Sequence, residues 1–194
     1  MHDFPFDLPV FSLFSLLKRK NMSEFPIDKR NKVVRIPKRG AYDKETVYEI
    51  LDAGFLCHIG FSVNGQPYVI PTSYGRKGDT IYLHGASTSR MMVELKEGIP
   101  MCLTVTHFDG LVLARSAFHH SMNYRSAVIF GTARLTEGEE KMAGRRLISE
   151  QILEGRWEES RQPKPIEMKA SKVLKMEIEQ ASAKVSTGPP GDDK

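Results

Sequence analysis

Three hydroxyl side chains and a guanidinium, Ser87, Thr88, Ser89 and Arg90, stand where an apolar strand-like segment ending at His84 gives way to a helical pattern closed by Gly98. The first turn of a helix leaves about four backbone N–H groups without intrahelical partners, and the macrodipole makes that end positive. With the helix opening near Ser87 to Ser89, backbone N–H groups, hydroxyls and Arg90 can together chelate a phosphate. The same residues also suit a plain serine N-cap beside a solvated arginine. Neither a P-loop nor a Gly-x-Gly-x-x-Gly spacing occurs, so nucleoside triphosphate and doubly wound dinucleotide sites have no support.

A second group lies between two apolar strands: Arg115, His119, His120, Asn123, Tyr124, Arg125 and Ser126. So many hydrogen-bonding side chains in one connection can line a pocket for a planar polar ligand, or decorate a solvated hairpin. His119 and His120 make a poor metal pair, because neighbours on a strand point to opposite faces. His58 and His107 stand alone in strand-like segments and read as core or edge histidines. No Ser/His/Asp order and no paired carboxylates converge, so no catalytic residue and no metal ligand is assigned.

These residues need a scaffold that the local signals outline. Asp43 caps a helix from Lys44 to Asp52, ended by Gly54. Phe55 to Ser62 reads as a strand. Asn64-Gly65 then calls for a type I′ hairpin turn into Tyr68 to Tyr74. A turn at Arg76 to Asp79 precedes the strand Thr80 to His84. Met101 to Thr106, Gly110 to Ser116 and Ser126 to Leu135 continue the series. Thr136 and Glu139 have capping-box spacing and open a helix through Ile152. Val173 to Ile178 alternates and supplies one late strand. Six or seven strands joined mostly by turns predict a mainly β fold, an antiparallel split β-barrel with flanking helices.

At 194 residues, and at roughly 150 residues per domain, the chain suits one domain with a sizeable core. Residues 1–32 read as a disordered or non-native extension with a second start at Met22-Ser23. Residues 33–185 form the domain, and residues 186–194 form a turn-rich tail. No apolar run reaches the roughly 18 residues of a membrane span. The net charge of +4 is spread along the chain apart from Lys18 to Lys20. That pattern suits a small anionic ligand and lacks the basic stripe of a nucleic-acid binder. Cys57 and Cys102 are far apart in apolar segments, so a disulfide framework is excluded and a cytoplasmic setting is expected.

The residues Arg35 to Asp43, Ile50 to Gly54, Gly65 to Thr72, Ile81 to Ala86, Leu113 to Ser126 and Ala181 to Val185 resemble the pyridoxamine 5′-phosphate oxidase-like FMN-binding split barrels. The resemblance is to the flavin-nucleotide-binding and nitroimidazole-resistance-type branch. It implies a homodimer with FMN between subunits. Val69, Ile70, Pro71, Thr72 and Ser73 would run along the flavin ring, with His84 near the ribityl-phosphate. Ser87, Ser89 and Arg90 would hold the phosphate, and Asn123, Arg125 and Ser126 would approach from a neighbouring strand. Met91 replaces the Lys that follows Ser-Arg in true pyridoxamine phosphate oxidases. The C-terminal Trp and Arg elements of those enzymes are also missing, which speaks against that reaction. Relatives in this branch continue into a further Trp-bearing strand where this sequence stops.

The implied activity is FMN-dependent transfer of electrons from a reduced nicotinamide donor to a small organic acceptor. His84, His119 and Tyr124 are candidates for handling protons. The alternative is a non-catalytic flavin- or haem-binding protein. Neither reading involves nucleic acid or a membrane.

Overall fold

The computed structural model describes residues 23–191; the expectations for residues 1–22 and 192–194 lie outside the described residues. In chain order the elements are β1 (Gly40–Ala41), α1 (Lys44–Asp52), β2 (Leu56–Val63), β3 (Gln66–Lys77), β4 (Thr80–Ala86), α2 (Arg90–Leu95), β5 (Pro100–Val112), β6 (Ser121–Leu135), α3 (Gly138–Ile152), α4 (Arg156–Glu159), α5 (Pro165–Ala170), β7 (Ser171–Glu177) and β8 (Gln180–Ser186). Short 3₁₀ turns cover Pro37–Arg39 and Ala117–His119.

The strands form one antiparallel sheet in the order β1-β8-β6-β5-β2-β3-β4-β7, and a β6–β7 pairing closes it into a barrel. This is the split barrel that the strand series predicts. Two long strands change partner along their length. β3 pairs with β2 through residues 66–73 and with β4 only from Tyr74 to Lys77. β6 pairs with β8 from Tyr124 to Phe130, then with β7 from Ala133 to Leu135. Strands twist relative to their neighbours, so a long strand parts from one and meets another.

Alternation builds the interior. Ile59 and Phe61 of β2, Ile81 and Leu83 of β4, Met101, Leu103 and Val105 of β5, and Ala127 and Ile129 of β6 are buried in one cluster. Val47, Ile50 and Leu51 of α1 and Met91, Met92 and Leu95 of α2 complete it. α3 lies over β3, β4 and β7 on the outside.

Several local signals hold. The Asp43 carboxylate accepts from Thr46 N at 2.9 Å, and Asn64 (φ 49°) and Gly65 (φ 81°) both take the positive φ of a type I′ turn. Others are overridden. β5 runs unbroken through Val112, with a bulge at Asp109 where a separate strand was expected from Gly110. β6 begins at Ser121, five residues before Ser126, because its pairing with β5 continues to the hairpin end. The Thr136 hydroxyl does not cap α3; it donates to Val173 O at 2.9 Å. α3 starts one residue after Glu137, with no side-chain cap.

The folded body also reaches upstream of Val33. Phe25 is buried in the core, and Glu24 bridges Asp43. The Asn31 amide donates to Pro26 O at 2.8 Å and Ala181 O at 3.0 Å. Arg30 and Asp28 both bond the Gln180 side chain, at 2.6 Å each. A polar segment is thus fixed through β8, itself a strand of small residues that alternation does not reveal.

Candidate functional site

Among the described residues, β3 has a strand on one side only along residues 66–73; β4 joins it from Tyr74 onward. Its outer backbone N–H and C=O groups in this stretch have no strand partner among the described residues, an open edge with unused donors and acceptors. Val69 to Ser73, the residues expected along a flavin ring, lie on that edge, and Val69 is 69% exposed.

α2 begins beside it. Ser89 is the N-cap, with its Oγ accepting from Met92 N at 3.4 Å. The Arg90 guanidinium lies 4.5 Å from the Tyr68 ring centroid, and Tyr68 stacks on Phe61 at 5.5 Å. Arg90 is otherwise exposed, so the aromatic pair holds its charge next to the open edge while leaving its N–H groups available. The loop before α2 is clamped from both sides. Ser87 N donates to Ala170 O at 2.9 Å, and Lys172 Nζ donates to Ser87 O at 2.7 Å. Ser89 is thus an N-cap, the plainer of the two readings its position allowed.

His84 has a different setting. Ile81 and Leu83 of β4 point into the core, so His84 takes the opposite face, toward α3. Its Nδ1 is buried without a hydrogen-bond partner. Burial first, and then the charge of Arg145, hold the imidazole below its ordinary 6.5. Between the folded and unfolded values the unfolded chain binds more protons, so stability is full above about pH 6.5 and falls on acidification. Urea midpoints measured from about pH 8 to about pH 5 should therefore drop on the acid side, and His84→Gln should flatten that drop. An unchanged profile would mean that other groups set the acid limb.

Asn123, Arg125 and Ser126 are not gathered with Arg90 in one chain by any contact they make. The Asn123 amide donates to Gly188 O at 3.1 Å. Arg125 is held by Asp109 through Nε at 3.0 Å and Nη2 at 2.9 Å, across the β5 bulge. That hydrogen bonding raises its pKa further. Ser126 lies on the opposite face of β6, its hydroxyl 3.5 Å from Lys184 O. In the hairpin connection His120 bonds Ala114 O at 3.1 Å, and His119 packs edge-on against Phe118, which is 89% exposed.

Two histidines that read as isolated share a cavity of about 310 Å³, lined also by Phe55, Leu56 and Thr106. The His107 Nε2–H donates to Ile50 O at 2.8 Å, which leaves Nδ1 as its lone-pair nitrogen. The His58 side chain makes no hydrogen bond among the described residues. The β2–β5 pairing sets His58 opposite Thr104, a register that the sequence does not display. Burial pushes the Cys57 thiol up to about 12 and raises Cys102 as well, which disfavours the reactive thiolate at both.

A pyridoxamine 5′-phosphate oxidase profile matches residues 43–185. The chain belongs to that family. Among solved structures it is similar to the flavocytochrome Anf3 of Azotobacter vinelandii, at 41% identity and TM-score 0.79, covering 89% of this chain and 80% of that one. It is also similar to the FAD and heme binding protein of Mycobacterium smegmatis, at 32% and 0.76, covering 80% and 77%. A third likeness is to a Bacteroides thetaiotaomicron protein described as one of 5-nitroimidazole antibiotic resistance, at 25% and 0.63, covering 75% and 86%. No curated protein matches. Among the described residues no helix is long and apolar enough to cross a membrane.

Proposed function

We propose that this protein binds a flavin nucleotide, FMN, along the open edge of β3, and uses it to pass electrons from a reduced nicotinamide donor to a small organic acceptor. The observation that carries the reading is the unpaired edge of residues 66–73 lying beside the α2 N-terminus, with Arg90 held on Tyr68. Arg90, Ser87 and the first N–H groups of α2 would hold the phosphate, and Val69 to Ser73 would bond the ring through their backbone. Bound there, a flavin supplies the redox chemistry, while the chain orients it and excludes water. No side chain is given an obligatory acid or base role.

Asn123 and Arg125, which share one face of β6, would join the phosphate element in one site when a second copy supplies them. Phe55, Leu56 and Val69 are exposed apolar residues beside the groove that such a copy would cover. The visible spectrum of purified protein tests the cofactor: flavin absorbance, or its appearance on adding FMN, is expected. A colourless protein that ignores FMN would overturn the proposal. Light scattering should give twice the 21.9 kDa of one chain.

A second reading concerns haem. The cavity joining His58 and His107 beside Phe55 and Leu56 offers an unbonded imidazole next to apolar surface. Solved relatives carry the names flavocytochrome and FAD and heme binding protein. Titration with haem would give a Soret band that His58→Ala removes. FMN and haem added in turn, with a nicotinamide oxidation assay, separate turnover from binding alone.

A further inference from the structure

On the outside of the barrel, α3, α4 and α5 border a cleft of about 480 Å³ into which three arginines project: Arg145, Arg156 and Arg161. That volume falls within the roughly 300–1,000 Å³ of small-molecule sites. Two carboxylates face the same space, and each is already engaged. Glu159 accepts from Arg156 Nη1 at 3.2 Å. Glu167 takes Arg161 in a fork, at 2.9 and 2.5 Å, and also accepts from Lys164 N at 2.8 Å.

Arg145 has no such partner. It makes no hydrogen bond or ion pair among the described residues, and its Nε is buried and unpartnered. Besides the two engaged carboxylates and Glu137, which acts on Lys141, further cations stand nearby. Lys141 lies one helical turn earlier on the same face of α3, with its ammonium fixed on Met168 O at 2.6 Å and Ser171 O at 2.7 Å. Arg145 and Lys172 both lower the pKa of Lys141, after burial. His84, whose Nδ1 is the other orphaned nitrogen, is near enough to feel Arg145 too. A buried guanidinium N–H without an acceptor, among further cations, is an unusual native arrangement.

We propose that this cleft binds a small phosphoryl-bearing molecule, with the Arg145 guanidinium receiving the phosphoryl oxygens. The planar fork of Arg suits two oxygens of one phosphoryl group, and the neighbouring cations favour a dianion. Of the residues lining the cleft only Pro163 is an apolar type, and no aromatic ring is among them. The cleft uses α3 to α5, whereas the groove uses β3 and α2, so this site stands whether or not the chain takes FMN.

The test is a titration of the full chain with inorganic phosphate and with pyrophosphate, followed through the Arg145 Nε–H resonance. A saturable shift with a Kd of about 1 mM or tighter is expected. By calorimetry Arg145→Gln should weaken binding at least about tenfold, and Arg145→Lys, which keeps the charge without the fork, should fall between. No saturable shift with either probe, or equal binding by Arg145→Gln, would overturn the proposal. The wild-type titration decides alone where a variant is unstable.

Discussion

Arg90→Ala should weaken FMN binding about 10- to 100-fold while leaving the fold intact. A hydrogen bond to a charged group is worth about 1.5–3 kcal/mol, and each 1.4 kcal/mol is about a factor of ten. Arg90 is the exposed first residue of α2, and its one specific contact among the described residues is the Tyr68 ring at 4.5 Å. Losing that contact costs about 0.5–1 kcal/mol at an exposed position, so thermal unfolding of the flavin-free variant should barely move. Arg90→Lys keeps a charge but not the fork or the planar stack, and should lie between. Equilibrium titration followed by flavin fluorescence reads the series. Equal affinity for wild type and Arg90→Ala would move the phosphate away from α2 and remove the central element of the proposed function.

What the sequence displayed about this site is what short-range chemistry controls. Ser89 caps α2 as read, because a cap needs only a hydroxyl and the N–H groups a few residues on. Asn64-Gly65 turns as read, because its φ values are a property of the two residues themselves. The open edge of β3 is different in kind. It exists because β3 parts from β4 before residue 74, and nothing in Val69 to Ser73 records which strand fails to pair there.

Thr136 shows the opposite error. Its spacing to Glu139 is that of a capping box, yet the hydroxyl is spent on Val173, 37 residues away, which β7 brings alongside. The Asp109 partner of Arg125 is equally invisible in the sequence, because the β5 bulge brings it within reach. The cavity of His58 and His107 and the cleft around Arg145 depend on registers and helix packing in the same way. The resemblance supplied the family. The folded chain supplied the contacts that its expected residues make.

Gly75→Ala should be strongly destabilising. A Cβ at Gly75 would stand 2.6 Å from Ile148 N and from Leu147 C, and 2.8 Å from Leu147 O. These are main-chain atoms of α3, which cannot swing aside as a side chain does. Gly75 does not have the positive φ that favours glycine, so the requirement is one of space: strand and helix backbones touch here. The expected loss is about 3 kcal/mol, the upper range for overpacking, or about 6–12 °C in Tm for a chain of this size.

Gly65→Ala is the matched comparison, since a Cβ there meets nothing within 4 Å and φ is 81°. Its cost is purely conformational, about 1–2 kcal/mol. The two variants also differ in reach. Gln151 of α3 donates to Gly54 O at 2.8 Å and Leu51 O at 3.2 Å, and the buried Tyr74 hydroxyl donates to the same Leu51 carbonyl. Lifting α3 therefore loosens the C-terminal end of α1 and withdraws Arg145 from its cleft, whereas the hairpin change stays local. Hydrogen exchange should show Gly75→Ala exposing α1 and α3 together, and Gly65→Ala exposing only the β2–β3 turn. If Gly65→Ala proved the more destabilising of the two, the packing of α3 on β3 would be looser than these distances allow.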